Sequence, residues 1–168
     1  MCSSDLKTVI AIIMTNVFGG ETPRHAFEMA AEWSRQGQEV IFVQTFHRLV
    51  KIFFYDQGNA VKVIRFWDKD GSRLVNLLSR NHVGLVHVEH LLDAEPHFLD
   101  LHRKLTVPLA ITLHDYYLAC PFIRLTDEND RYCREIACND CLMRRKFYSR
   151  STGQLLTDID ERRHRYIA

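Results

Sequence analysis

The apolar positions of this chain fall in short, uninterrupted runs separated by stretches of helical spacing. Lys7-Thr-Val-Ile-Ala-Ile-Ile-Met14 is β-branched and continuous, the pattern of a central strand covered on both faces. Thr15-Asn-Val-Phe-Gly-Gly20 breaks it, and from Pro23 to Gln36 the residues Ala26, Met29, Ala30 and Trp33 recur on one stripe. That spacing predicts a helix with Thr22 as N-cap, Pro23 in its first position and Gly37 at its C-terminal cap. Glu39 to Thr45 follows as a second buried strand. Strand, glycine-containing turn, helix and strand make a βαβ unit, whose crossover is right-handed and whose strands are parallel.

Lys51 to Tyr55 and Val61 to Trp67, parted by Asp56-Gln-Gly-Asn59, predict two more strands whose direction the pattern leaves open. A helix is expected over Ser72–Asn81, a short strand over Gly84–Val88 and a helix from Glu95-Pro96 to Lys104. Pro108-Leu-Ala-Ile-Thr-Leu113 is then expected as a strand covered on both faces. The alternation predicts a doubly wound, Rossmann-like α/β domain with a parallel core sheet, its core strands near residues 8, 40, 85 and 110. After Cys120 the periodicity lapses. A cysteine-rich insertion is expected over about residues 119–145, and an amphipathic helix over Leu155–Ile167.

A chain of 168 residues, 46% of them hydrophobic, can bury one core, so residues 1–168 are expected to form a single domain. No run approaches the roughly 20 apolar residues that span a membrane, and the N-terminus lacks a signal-peptide pattern, which points to a soluble, cytoplasmic protein. The net charge of +1 is unevenly spread: residues 1–130 carry 13 basic and 16 acidic side chains, residues 131–168 carry 9 and 5. The basic C-terminal segment suits an anionic neighbour, including peripheral contact at the inner membrane face, and is equally what a solvated basic helix looks like. Nucleic acid is not expected as a partner.

Four of the five cysteines are clustered as C-x12-C-x4-C-x2-C, at Cys120, Cys133, Cys138 and Cys141. In a reducing compartment such a cluster is explained more readily by metal than by disulfides. Cys138-x2-Cys141 is half of a tetrahedral thiolate site, and a structural zinc that orders the loop is the leading expectation, with free thiols and an iron–sulfur cluster or redox disulfide as alternatives.

His114 and Asp115 follow the strand at Pro108–Leu113, at the sheet edge where open α/β sheets bind ligands. The Gly19-Gly20 turn, Ala26 to Gly37 followed by Glu39-Val40, Val86-His87-Val-Glu-His90, and Thr112-Leu-His114-Asp115-Tyr-Tyr with Cys120-Pro121 behind it together resemble the N-terminal domain of family 4 glycosyltransferases of the GT-B fold. The resemblance runs from about Thr8 to Ile167, and the cysteine loop is similar to an insertion carried by a subset of that family.

The resemblance implies the acceptor-side half of an enzyme that moves a sugar, of hexosyltransferase type, from a nucleotide-sugar to a glycan or lipid-linked acceptor. The nucleotide-sugar-binding C-terminal GT-B domain is absent from these 168 residues, so the isolated domain is expected to be inactive. It also implies that His114 reaches the transferred sugar as a catalytic residue. Gly19 and Gly20, His87, His90 and Asp115 are expected at the substrate site, the glycines by baring backbone N–H groups at a helix start. His87 and His90 either shape the acceptor pocket or simply pack, and Asp115, whose side chain points away from that of its neighbour on an extended chain, is expected to hold the loop rather than to fix the His114 tautomer. The residues themselves also admit a non-catalytic binding or metal-sensing module built on a Rossmann-like domain with a zinc-bound cysteine loop.

Overall fold

The computed structural model describes residues 8–15, 21–90, 96–114 and 131–132. The chain divides into two units, Met1–His114 and Asp115–Ala168, and every element below belongs to the first. In chain order these are β1 (Val9–Thr15), α1 (Glu21–Arg35), β2 (Glu39–Phe46), β3 (Leu49–Asp56), β4 (Asn59–Trp67), α2 (Ser72–Arg80), β5 (Val83–His90), α3 (Pro96–Leu99), α4 (Leu101–Leu105) and β6 (Leu109–Ile111). The fold is α/β, around one mixed six-stranded sheet of order β4-β3-β2-β1-β5-β6.

The strands expected near residues 8, 40, 85 and 110 are all parallel: β1 pairs with β2 on one side and β5 on the other, and β5 pairs with β6. β3 and β4 run antiparallel, so the sheet as a whole is mixed. Turn chemistry sets this direction. Gln57 and Gly58 both have positive φ, which a two-residue primed hairpin turn between β3 and β4 demands. The Gly58 N–H also donates to Ser34 Oγ at 3.2 Å, tying the hairpin tip to the end of α1.

β1 is buried along its whole length, as its unbroken apolar run requires. Ile10, Ile12 and Met14 from β1, Val40 and Phe42 from β2 and Phe53 from β3 form a core on which α1 lays Ala26 and Ala30, with Phe27, Met29 and Trp33 at its margin. The helix begins at Glu21, so Thr22 and Pro23 lie inside its first turn rather than at its boundary. It ends as expected at Gly37, where φ is 87°. There the Gly37 N–H donates to the Ser34 carbonyl and the Gln38 N–H to the Trp33 carbonyl, a Schellman cap.

Two further expectations change. The helix from Glu95 to Lys104 is two short helices, α3 and α4, divided at Asp100. The strand expected over Pro108–Leu113 is only Leu109–Ile111 and is half-buried throughout, because β6 pairs on one side alone among the described residues. No helix among the described residues is long and apolar enough to cross a membrane. Gly19, Gly20, Asp115, all four clustered cysteines and the expected helix at Leu155–Ile167 lie outside the described residues.

Candidate functional site

From β1 the chain passes through α1 to β2 on one side, while β5 lies on the other side of β1. Between β1 and β5, then, the strand order reverses, and in open α/β sheets ligands bind in the crevice outside the carboxyl ends of the strands at such a point. The carboxyl ends of these two strands are linked directly, the Thr15 hydroxyl donating to the His90 carbonyl at 3.4 Å.

The centre of the site is Glu89, whose side chain is wholly buried one residue from the end of β5. A carboxylate taken out of water must be neutralised or densely hydrogen-bonded. Among the described residues Glu89 has four polar partners. Its Oε2 lies 2.7 Å from His114 Nε2 and 3.1 Å from His25 Nδ1. Its Oε1 accepts from the Thr112 hydroxyl at 2.9 Å and stands 3.3 Å from His87 Nε2. These partners come from α1, from β5 itself and from the segment just beyond β6.

The tautomers follow from this arrangement. The Thr112 hydroxyl has one proton and gives it to Glu89, so His87 Nε2, 2.8 Å from Thr112 Oγ1, must carry its own proton and donate. His87 therefore donates through Nε2, and its buried Nδ1 has no hydrogen-bond partner among the described residues. Burial pushes the His87 pKa below the ordinary histidine value, the nearby His25 and His114 push it further, and the attraction of Glu89 only partly offsets them. Trp33 covers this ring, stacked at 5.2 Å and 24°.

Burial by itself raises the Glu89 carboxyl, but hydrogen bonds from His114, Thr112 and His25, with the attraction of His87, outweigh it and hold the group below the ordinary carboxylate value. Glu89 is an anion fixed in place. His25 and His114 each spend one ring N–H on it and keep the other ring nitrogen for chemistry. Their rings meet edge to face at 5.2 Å, and their side chains are 52% and 20% exposed. The arrangement offers two oriented imidazoles at the mouth of a buried carboxylate, able to exchange hydrogen bonds with hydroxyl groups, shuttle a proton or ligate a cation.

Of the residues singled out in the sequence, His114 stands at the mouth of this site. His87 is buried behind it, holding Thr112 and Glu89, and His90 is buried at the end of β5. His25, Glu89 and Thr112 complete the site without having been singled out. A carboxylate inside β5, directly after the mostly apolar residues 83–88 that only His87 interrupts, was the available signal, since a buried acid must have partners. The described hydrogen-bond partner of the His114 ring is Glu89, 25 positions away in sequence. No family model, curated protein or solved structure matches the chain.

Proposed function

We propose that this chain is the acceptor-side, N-terminal domain of a glycosyltransferase: a doubly wound, Rossmann-like half of a GT-B enzyme that moves a sugar from a nucleotide-sugar to a glycan or lipid-linked acceptor. One observation carries the reading. His114, the histidine assigned to the transferred sugar by the family resemblance, sits past the carboxyl end of β6 at the crevice, with its ring oriented by a buried carboxylate 2.7 Å away. An imidazole fixed in this way can hold a sugar hydroxyl while positive charge develops at the anomeric carbon, and such positioning and electrostatics supply much of the rate in group transfer. Gly19 and Gly20 immediately precede α1, where backbone N–H groups suit an anionic or hydroxyl-rich ligand.

The test is transfer from a panel of nucleotide-sugars by the complete gene product. His114→Ala is expected to lower kcat/KM by about 10²–10³-fold, the usual loss on removing one transition-state hydrogen-bonding group. Wild-type turnover by that variant sinks the assignment of His114, and absence of transfer with every donor by the complete protein sinks the transferase reading. In that second event the non-catalytic binding module built around the cysteine loop takes its place.

A further inference from the structure

His25 Nδ1, His114 Nε2 and a carboxylate oxygen of Glu89 all lie within 4.8 Å of one another. From this convergence we propose that His25, Glu89 and His114 form a binding site for a divalent transition-metal ion of the zinc class, distinct from any site made by the cysteines. Zinc binds imidazole nitrogen and carboxylate oxygen at about 2.0–2.2 Å, which spaces tetrahedral donors at about 3.3 Å. The pairs centred on Glu89 Oε2, at 2.7 and 3.1 Å, fall short of that spacing by about 0.6 and 0.2 Å. Small rotations of two imidazoles at the mouth of the site supply the difference, together with a tautomer change that turns each facing nitrogen from donor to lone pair.

The donor set selects the class of ion. Two imidazoles and one carboxylate suit zinc, cobalt and iron(II). Calcium and magnesium demand more oxygen ligands than this cluster offers, and soft monovalent copper prefers sulfur. The support behind the ligands has the form metal sites use: Oε1 of Glu89 is held by the Thr112 hydroxyl, which is held in turn by His87. Such outer hydrogen bonds fix the direction in which a ligating carboxylate points. Three protein ligands, two of them partly exposed, leave coordination positions for water or a ligand hydroxyl, the composition of a catalytic rather than a closed structural site. The inference is independent of the sugar-transfer reading, because it concerns only what these three side chains bind.

Cobalt(II) titration of the chelator-stripped full chain tests it. Cobalt bound by nitrogen and oxygen shows weak d–d absorption, whereas thiolate ligation adds intense sulfur-to-metal charge transfer, so the spectrum separates this site from the cysteines. One thiolate-free cobalt per chain is expected in the wild type. His25→Ala, at an exposed helix position whose loss should leave the circular dichroism unchanged, is expected to weaken that cobalt at least about tenfold. His114→Gln should act in the same direction. Thiolate-type cobalt alone, or a thiolate-free site that binds equally well in His25→Ala, overturns the proposal.

Discussion

His114 and Glu89 stand 25 residues apart in the chain and 2.7 Å apart at the site, Nε2 against Oε2. Because Oε2 also takes His25 while Oε1 takes Thr112, neither carboxylate oxygen is free to be replaced by a donor. Glu89→Gln keeps the shape but turns one acceptor into an NH2 group, which must face either two imidazole nitrogens or the threonine hydroxyl. This variant is expected to lose about 2 kcal/mol of unfolding free energy, the scale of stranded buried hydrogen-bonding groups. An unchanged urea midpoint would show that the pairing contributes nothing to the fold.

Acid should destabilise the protein in two steps. The His87 pKa is lowered in the fold, so below about 6.5 the unfolded chain takes up a proton that the native ring refuses, and stability falls with pH until the native pKa is reached. The Glu89 pKa is also lowered, so its contribution is complete above the ordinary carboxylate range of about 4 and is lost as pH falls through the lower native value. His87→Gln keeps an N–H where Nε2 stands and cannot titrate. Denaturant midpoints from pH 8 to pH 3 should lose the upper step in that variant and retain the lower one; an identical profile would remove His87 as its source.

Thr106 ends α4 in a Schellman cap of the kind Gly37 forms after α1, with Val107 N–H donating to the His102 carbonyl and Thr106 N–H to the Arg103 carbonyl. Its φ of 57° is strained for a β-branched residue. Because Thr106 is exposed, replacing it removes little burial. Thr106→Gly is expected to stabilise the fold by about 0.5–1 kcal/mol after glycine's extra unfolded-state entropy is counted, seen as a higher thermal midpoint. A lower midpoint would contradict the strain.

The cysteines make a separate prediction. If Cys120, Cys133, Cys138 and Cys141 share a zinc, protein purified without added metal should carry it by elemental analysis, and Cys138→Ser should reduce zinc content and expose the loop to protease. Four freely titrating thiols in metal-free protein would refute this arrangement. Since His25→Ala addresses the other cluster, the two substitutions should deplete different metal populations.

Much of the fold was legible because its central strands are buried on both faces and therefore read as apolar runs, as at residues 9–14 and 40–43. The direction of β3 and β4 was not. The outer strand is exposed over most of its length, so burial imposed little period on it, and the deciding signal lay in the backbone of Gln57 and Gly58. At the site, His114 was visible from its place at a strand end. Glu89 was not, because its link to His114 spans 25 positions and no local spacing in the sequence records it. His25 was hidden because it adjoins the apolar stripe of α1 at Ala26, where helical periodicity cannot tell a site histidine from a solvated one. Only the lateral order of β1 and β5 in the sheet brings it 3.1 Å from a residue 64 positions later.

The shared carboxylate also gives the molecule an order of completion. A chain emerging from the ribosome presents β1, α1 and β5 first, and at that stage Glu89 can engage His25 and His87 but not Thr112 or His114. Until β6 arrives, a charge destined for the interior has half its described partners and keeps its water. Docking of β6 beside β5 therefore brings in Thr112, dries Glu89 and sets His114 in one event, so that the orientation of this imidazole depends on the pairing that adds β6 to the sheet.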